Sequence, residues 1–182
     1  MTNWPKIKSR RTTRISPWME IIEREVEFTA GSQSQLYHSV AQQDYIAIVA
    51  LTPDGQIPIV RQYRPALERF TWELPAGMVE KGEDPAKTCR RELLEETGYS
   101  AGRWRHLATL FPCVGYSNEK VELFLAQQLS HDGHPGEDGE VLECIRLGLD
   151  EALTMVTVGE ITEAKTILGL LWADKLRKGE WK

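Results

Sequence analysis

The chain is 182 residues long and 41% hydrophobic, with 22 Lys and Arg against 27 Asp and Glu and a net charge of −5. This balance belongs to an ordinary globular domain large enough to bury its own core, and it excludes wholesale disorder. The longest apolar runs, YIAIVAL (45–51) and ILGLLWA (167–173), have seven residues, against the ~20 of a membrane span, and a net acidic chain lacks the clustered cations of a broad nucleic-acid surface.

Residues 1–17 carry Lys6, Lys8, Arg10, Arg11 and Arg14 and no acid, and read as a basic, solvated arm ahead of a single domain over 18–182. WMEIIEREVEF (18–28) partly alternates and predicts a strand, AGSQ (30–33) a turn, and QLYHSV (35–40) a second strand. YIAIVALT (45–52) and IPIVRQYR (57–64) flank PDGQ and read as a hairpin. Asp84-Pro85 signals a helix start and Gly98 its end. HLATLF (106–111), KVELFLAQQL (120–129) and VLECIRLG (141–148) predict further strands. LDEALTMV and TEAKTILGLLWADKLRK (162–178) predict helices, with Thr162 as N-cap of the last. The expected class is a mixed α/β domain. Cys89, Cys113 and Cys144 show no CxxC spacing, so neither a disulfide framework nor a zinc site is expected, and a reducing, cytoplasmic compartment fits. His131 and His134 fall in a Gly/Pro/Asp-rich loop and read as solvated.

The chemistry concentrates in GMVEKGEDPAKTCRRELLEETGY (77–99). On a helix, Glu92, Glu95 and Glu96 are spaced i, i+3, i+4 and share one face. Such like charges raise one another's pKa unless a cation sits among them. A hard divalent ion, Mg²⁺ or Mn²⁺, prefers such oxygen donors. An isolated ExxEE is usually a solvated helix face. Here it stands in a longer pattern: Gly77, five residues, Glu83, seven residues, Arg91-Glu92, bulky Leu93, one residue, Glu95-Glu96, one residue, Gly98, then Tyr99. With each fixed residue at roughly 7% usage, chance produces that pattern in a chain of this size on the order of 10⁻⁶ of the time. The segment resembles the Nudix box, with Tyr99 in place of the usual aliphatic residue.

The resemblance implies the family's α/β/α sandwich with a mixed sheet, preceded by antiparallel N-terminal strands over 18–42 that contribute to a homodimer. It implies that the Ala76 carbonyl and the carboxylates of Glu92, Glu95 and Glu96 hold Mg²⁺, with Mn²⁺ as a substitute. Gly77 would permit close backbone approach, Arg91 would pair with Glu83 to fix the loop to the helix, and Gly98 would end it.

Upstream, IPIVRQYRPALERFTWELPAG (57–77) is similar to the run found in ADP-ribose and ADP-sugar pyrophosphatases. By that likeness Arg64 and Arg61 contact phosphate oxygens, Glu73 joins the substrate or metal shell or an ion pair, and Trp18 and Tyr37 stack on adenine. The acidic stretch SHDGHPGEDGEVLEC (130–144) is where the family carries its catalytic base; Glu140 matches best and Glu137 second. One departure bears on substrate. PCVGYSNE (112–119) has Val114 where ADP-ribose-hydrolysing members have proline, although Gly115, Ser117 and Glu119 fit. The resemblance therefore implies hydrolysis of a nucleoside diphosphate linked to a sugar, first of all ADP-ribose to AMP and ribose 5-phosphate. GDP-mannose, ADP-glucose, NADH, or a non-catalytic nucleotide-sugar sensor are the alternatives.

Overall fold

In the computed structural model, residues 4–133 and 143–181 are described. The chain divides into two compact units, one comprising the stretch up to Asp44 with Phe111–Lys120, the other Tyr45–Leu110 with the chain from Val121 on.

The first unit is an antiparallel sheet of β1 (Lys6–Ser16), β2 (Met19–Glu27) and β3 (Gln35–Ala41), in that order. Where a solvated arm was expected over 1–17, residues 6–16 form a strand, exposed along almost its whole length. Complementary charge on β2 explains it. Lys8 pairs with Glu27 at 3.0 Å, Arg11 with Glu23 at 2.5 Å, and the Ser9 hydroxyl donates to Glu25 at 3.3 Å. A charged strand at the sheet edge also discourages edge-to-edge pairing with other chains. The segment Phe111–Lys120 joins the end of β3: Val40 N–H donates to the Tyr116 carbonyl at 2.7 Å, and Lys120 pairs with Asp44 at 3.1 Å.

The second unit is built around β4 (Tyr45–Ala50) and β9 (Val121–His131), which pair in parallel. They lie in a mixed sheet ordered β7 (Ala76–Met78), β4, β9, β8 (Tyr99–Leu110). A second sheet runs β10 (Glu143–Gly148), β5 (Gln56–Arg64), β6 (Arg69–Glu73). The 45–64 hairpin is therefore overturned: β4 and β5 follow one another in sequence but lie in different sheets. β4 is apolar and buried from Ile46 to Ala50, and β5 from Ile57 to Val60 before it turns polar at Arg61; such uninterrupted buried runs mark strands covered on both faces rather than a half-solvated hairpin.

Side-chain parity on β4 separates two cores. Ala47 and Val49 pack with Leu123 and Leu125 of β9, with Ile57 and Ile59 of β5, and with the helices α2 (Leu149–Thr157) and α3 (Ala164–Arg177). Ile46, Ile48 and Ala50 pack with Phe124 and Ala126 against Cys89 and Leu93 of α1 (Pro85–Thr97). Helices thus cover both faces of the mixed sheet, as the α/β/α expectation required. α1 begins as expected, the Asp84 carboxylate accepting from Ala86 N–H at 3.0 Å, and ends at Gly98 in the left-handed region at φ 71°. A Cβ there would also meet the Gly133 carbonyl oxygen at 2.4 Å. The cap of α3 is Glu163 rather than Thr162: its longer carboxylate accepts from both Lys165 and Thr166 N–H, at 3.2 and 2.8 Å.

Candidate active site

β7 and α1 bring the box together. Register places Gly77 opposite Ile46 and Ala76 opposite Ala47 on β4, while Leu93 of α1 is buried in the core that contains Ile46, Ile48 and Ala50. With Leu93 turned inward, Glu92 and Glu96 come round toward β7. The Glu96 Oε2 accepts a hydrogen bond from Ala76 N–H at 3.0 Å and the residue is buried. The Glu92 carboxylate lies against Gly77, where an added Cβ would stand 2.0 Å from Glu92 Cδ and 2.1 Å from Oε1. Gly77 is needed here for this close approach; its φ is not in the left-handed region.

Arg91 holds the remaining charges. Its Nη1 donates to Glu92 Oε1 at 2.8 Å and to Glu95 Oε2 at 3.0 Å, and Nη2 stands 3.6 Å from Glu83 Oε2. The expected Arg91–Glu83 pair is present but is the longest of the three contacts. The Glu95 contact was legible as an i, i+4 pair. Glu83 also accepts from Glu80 N–H at 3.3 Å, and hydrogen bonding from Thr88, with Glu80 and Arg91, keeps its carboxyl below the usual range. Burial pushes the Glu92 carboxyl up, against the pull of Arg91 and helped by the charges of Glu95 and Glu83.

The donor set is composed of hard oxygens, which suits Mg²⁺ or Mn²⁺. Two of the three carboxylates already reach the Ala76–Gly77 segment. Among the described residues no three acidic, His or Cys side chains are gathered round one point, and the Arg91 guanidinium bridges Glu92 and Glu95. The residues fit the ion in chemistry, and Arg91 stands as the cation between two of them.

On β5 and β6, Arg64 and Glu73 find each other. Arg64 Nε and Nη2 donate to the two carboxylate oxygens of Glu73 at 2.7 and 2.6 Å, and the Thr71 hydroxyl adds a third bond at 2.6 Å. Glu73 is only 2% exposed. Burial alone would raise its carboxyl, but the bonds from Arg64 and Thr71 outweigh it and hold the pKa below the usual value. Thr71 was missed in the sequence, although a strand puts residues i and i+2 on one face. Arg61 pairs with Glu143 at 3.3 Å across the β5–β10 register, its guanidinium 4.8 Å from the Phe70 ring centroid and 5.4 Å from that of Trp72. Next to Glu143, the Cys144 thiol is pushed up to about 11 by burial and by the charge of Glu96, so the start of β10 lies within electrostatic reach of the box.

Trp18 and Tyr37 belong to the first unit. Trp18 stands in the turn between β1 and β2 rather than on a strand, and is 61% exposed. A strand position was expected, but Pro17 and Trp18 form the connection that lets β1 reverse. Tyr37 is half-exposed on β3, edge-on to Phe28 at 5.6 Å. Val114, in the loop joined to β3, is exposed. Glu140 and Glu137 lie outside the described residues.

A model of the NUDIX domain matches residues 41–167. The chain is 35% identical over 150 residues to an ADP-ribose pyrophosphatase of Bacillus subtilis (strain 168), covering 81% of this chain and 80% of that protein. It is 40% identical over 138 residues to an ADP-ribose pyrophosphatase of Mycobacterium tuberculosis (strain ATCC 25618 / H37Rv), covering 74% and 66%. In fold it is similar to a crystal structure of an ADP compounds hydrolase, with a TM-score of 0.84 at 23% identity over 97% of this chain and 95% of that one.

Proposed function

Because the chain belongs to the Nudix family and is a hydrolase of the ADP-ribose pyrophosphatase type, we propose that it cleaves the diphosphate of a nucleoside diphosphate linked to a sugar. The substrate we assign is ADP-ribose, which yields AMP and ribose 5-phosphate. One observation carries the reading: Glu92 and Glu96 converge on Ala76–Gly77, at a glycine that leaves room for a carboxylate and nothing larger.

In this reading Glu92, Glu95, Glu96 and the Ala76 carbonyl would hold Mg²⁺, or Mn²⁺ in its place. The bound ion supplies neutralisation of charge on the diphosphate oxygens and a lowered pKa for water. The residues of the chain do the positioning. Arg91, which spans Glu92 and Glu95, would yield both carboxylates to the cation, and its contact with Glu83 would keep the loop on the helix. Arg61 offers a guanidinium to a phosphate oxygen, and Glu73 holds the Arg64 fork in place for a second. Glu140 takes the proton from the attacking water; the segment that carries it leads into β10, whose Glu143 pairs with Arg61 and whose Cys144 senses Glu96. The P–O bond to the leaving phosphate then breaks as the new one forms. Trp18 and Tyr37 supply rings for the base.

A homodimer is supported by the exposed apolar residues Ile7, Ile15 and Leu36 on the strands of the first unit. A cytoplasmic setting is supported by three free thiols. Among the described residues no helix is long and apolar enough to cross a membrane.

Incubation of the purified protein and Mg²⁺ with ADP-ribose, ADP-glucose, GDP-mannose and NADH, with products separated by ion exchange, tests the assignment. AMP and ribose 5-phosphate as the fastest-formed products are expected. Faster turnover of GDP-mannose would replace the substrate, and binding without turnover of any of the four would mean a sensor.

A further inference from the structure

The sheet face that carries the larger core does not stay apolar to its edge. Leu125 on β9 belongs to that core, and two residues on, Gln127 continues the same face. Register sets Arg105 opposite Leu125 and Arg103 opposite Gln127 on β8, so two guanidiniums follow directly on the hydrophobic face. These four side chains line a cavity of about 720 Å³ within the second unit. Leu51, Leu149, Ala173 and Leu176 supply an apolar floor, and Trp181, held edge-on to Trp172 at 4.7 Å, adds an aromatic wall. No residue of the 77–99 segment lines it.

The electrostatics favour an anion. The lining carboxylate, Asp150, is taken by Arg177 through a two-pronged contact at 3.1 and 2.7 Å. Among the described residues neither Arg103 nor Arg105 has a carboxylate partner, and the Arg105 Nε is buried without a hydrogen-bond acceptor. A buried donor left without a partner costs free energy, and the side chain that carries it lines the cavity. The start of α2 at Gly148 also lines the cavity. Its cap has no side chain, a Cβ built there would meet nothing within 4 Å, and of the two acids in the first turn, Asp150 and Glu151, the one that lines the cavity is paired with Arg177.

We propose that this cavity is a second ligand site, taking a small organic phosphate with an aromatic or aliphatic body. Paired guanidiniums and a helix N-terminus suit a phosphate's several oxygens. The floor and Trp181 suit the body, and the volume lies within the roughly 300–1,000 Å³ of small-molecule pockets.

Phenyl phosphate is the probe, titrated into the isotopically labelled full chain in metal-free buffer and followed by amide and indole shifts. Saturable shifts at Gln127, Gly148 and the Trp181 indole are expected. Arg103→Glu, at an exposed position that does not threaten folding, should weaken binding at least about tenfold. Arg105→Gln should weaken it in the same direction, whereas Glu96→Gln should leave it unchanged. The site is refuted if those signals stay still up to about 10 mM probe, if Arg103→Glu binds as well as the parent, or if Glu96→Gln abolishes the shifts. Equal affinity for benzyl alcohol would reduce it to an apolar hole, and equal affinity for benzoate would overturn the phosphate assignment.

Discussion

The carboxylate of Glu92 lies where a side chain on Gly77 would begin, 2.0 Å from Cδ to the position of an added Cβ. Strand β7 and helix α1 thereby share one small volume, and the glycine is a condition for the acid's placement. Gly77→Ala should therefore displace Glu92. A misplacement of about 1 Å in a catalytic group costs on the order of 10²-fold in rate, so kcat should fall by that order while the far-UV spectrum is retained. Turnover within about twofold of the parent would show that Glu92 tolerates the shift.

Glu96→Gln keeps an oxygen for the Ala76 N–H and removes the charge, so the fold should survive. Turnover should drop by about 10²–10³-fold, the scale of losing one preorganised electrostatic contact, and Mn²⁺ affinity measured calorimetrically should fall with it. Unchanged metal affinity would remove Glu96 from the ligand set.

The buried Glu73 makes its bonds only as a carboxylate. Its folded pKa lies below the ordinary value of 4.5, so its contribution to stability is fully present above that pH and is lost as pH falls through the lowered folded value. Denaturant unfolding of the parent should show declining stability below about pH 4.5, and Glu73→Gln should flatten that decline. Glu73→Ala, which strands Arg64, should cost about 3 kcal/mol at neutral pH. An unaltered slope in Glu73→Gln would mean that other carboxylates govern the acid limb.

Glu140→Gln should lower kcat by about 10²–10⁴-fold, the range of general base catalysis, with little change in KM, and remove the acid limb of the kcat profile against pH. The same result from Glu137→Gln, with Glu140→Gln silent, would transfer the role to Glu137.

Trp18 is exposed at a hairpin tip, so Trp18→Ala should leave the melting temperature in place. If the ring stacks on the base, KM for ADP-ribose should rise about tenfold, consistent with the roughly 1–3 kcal/mol of a base–aromatic stack. An unchanged KM would leave Trp18 without a part in recognition.

Where periodicity and caps are local, the sequence was readable. Asp84-Pro85 and Gly98 bound α1 because each satisfies or terminates a backbone hydrogen-bond pattern within a few residues. The spacing of Glu92, Glu95 and Glu96 likewise follows from helix geometry alone. The failures were cases in which a partner distant in the chain decided the outcome. Lys6–Ser16 became a strand because β2 presents opposite charges along its length. β4 and β5 parted into different sheets because β7 and β9 take both edges of β4.

The charge count shows the same division. Sequence alone located six of the 27 acids in 77–99 and five in 130–144, and the motif's order identified the family. Tertiary structure decided what those charges do to one another. Arg91 bridges Glu92 and Glu95, Glu96 is bonded to Ala76, and Arg64 is committed to Glu73, nine residues further along the chain. Spacing along one helix fixes which side chains share a face, but the electrostatic partner of each is whatever the packing of strands and helices brings within about 3 Å.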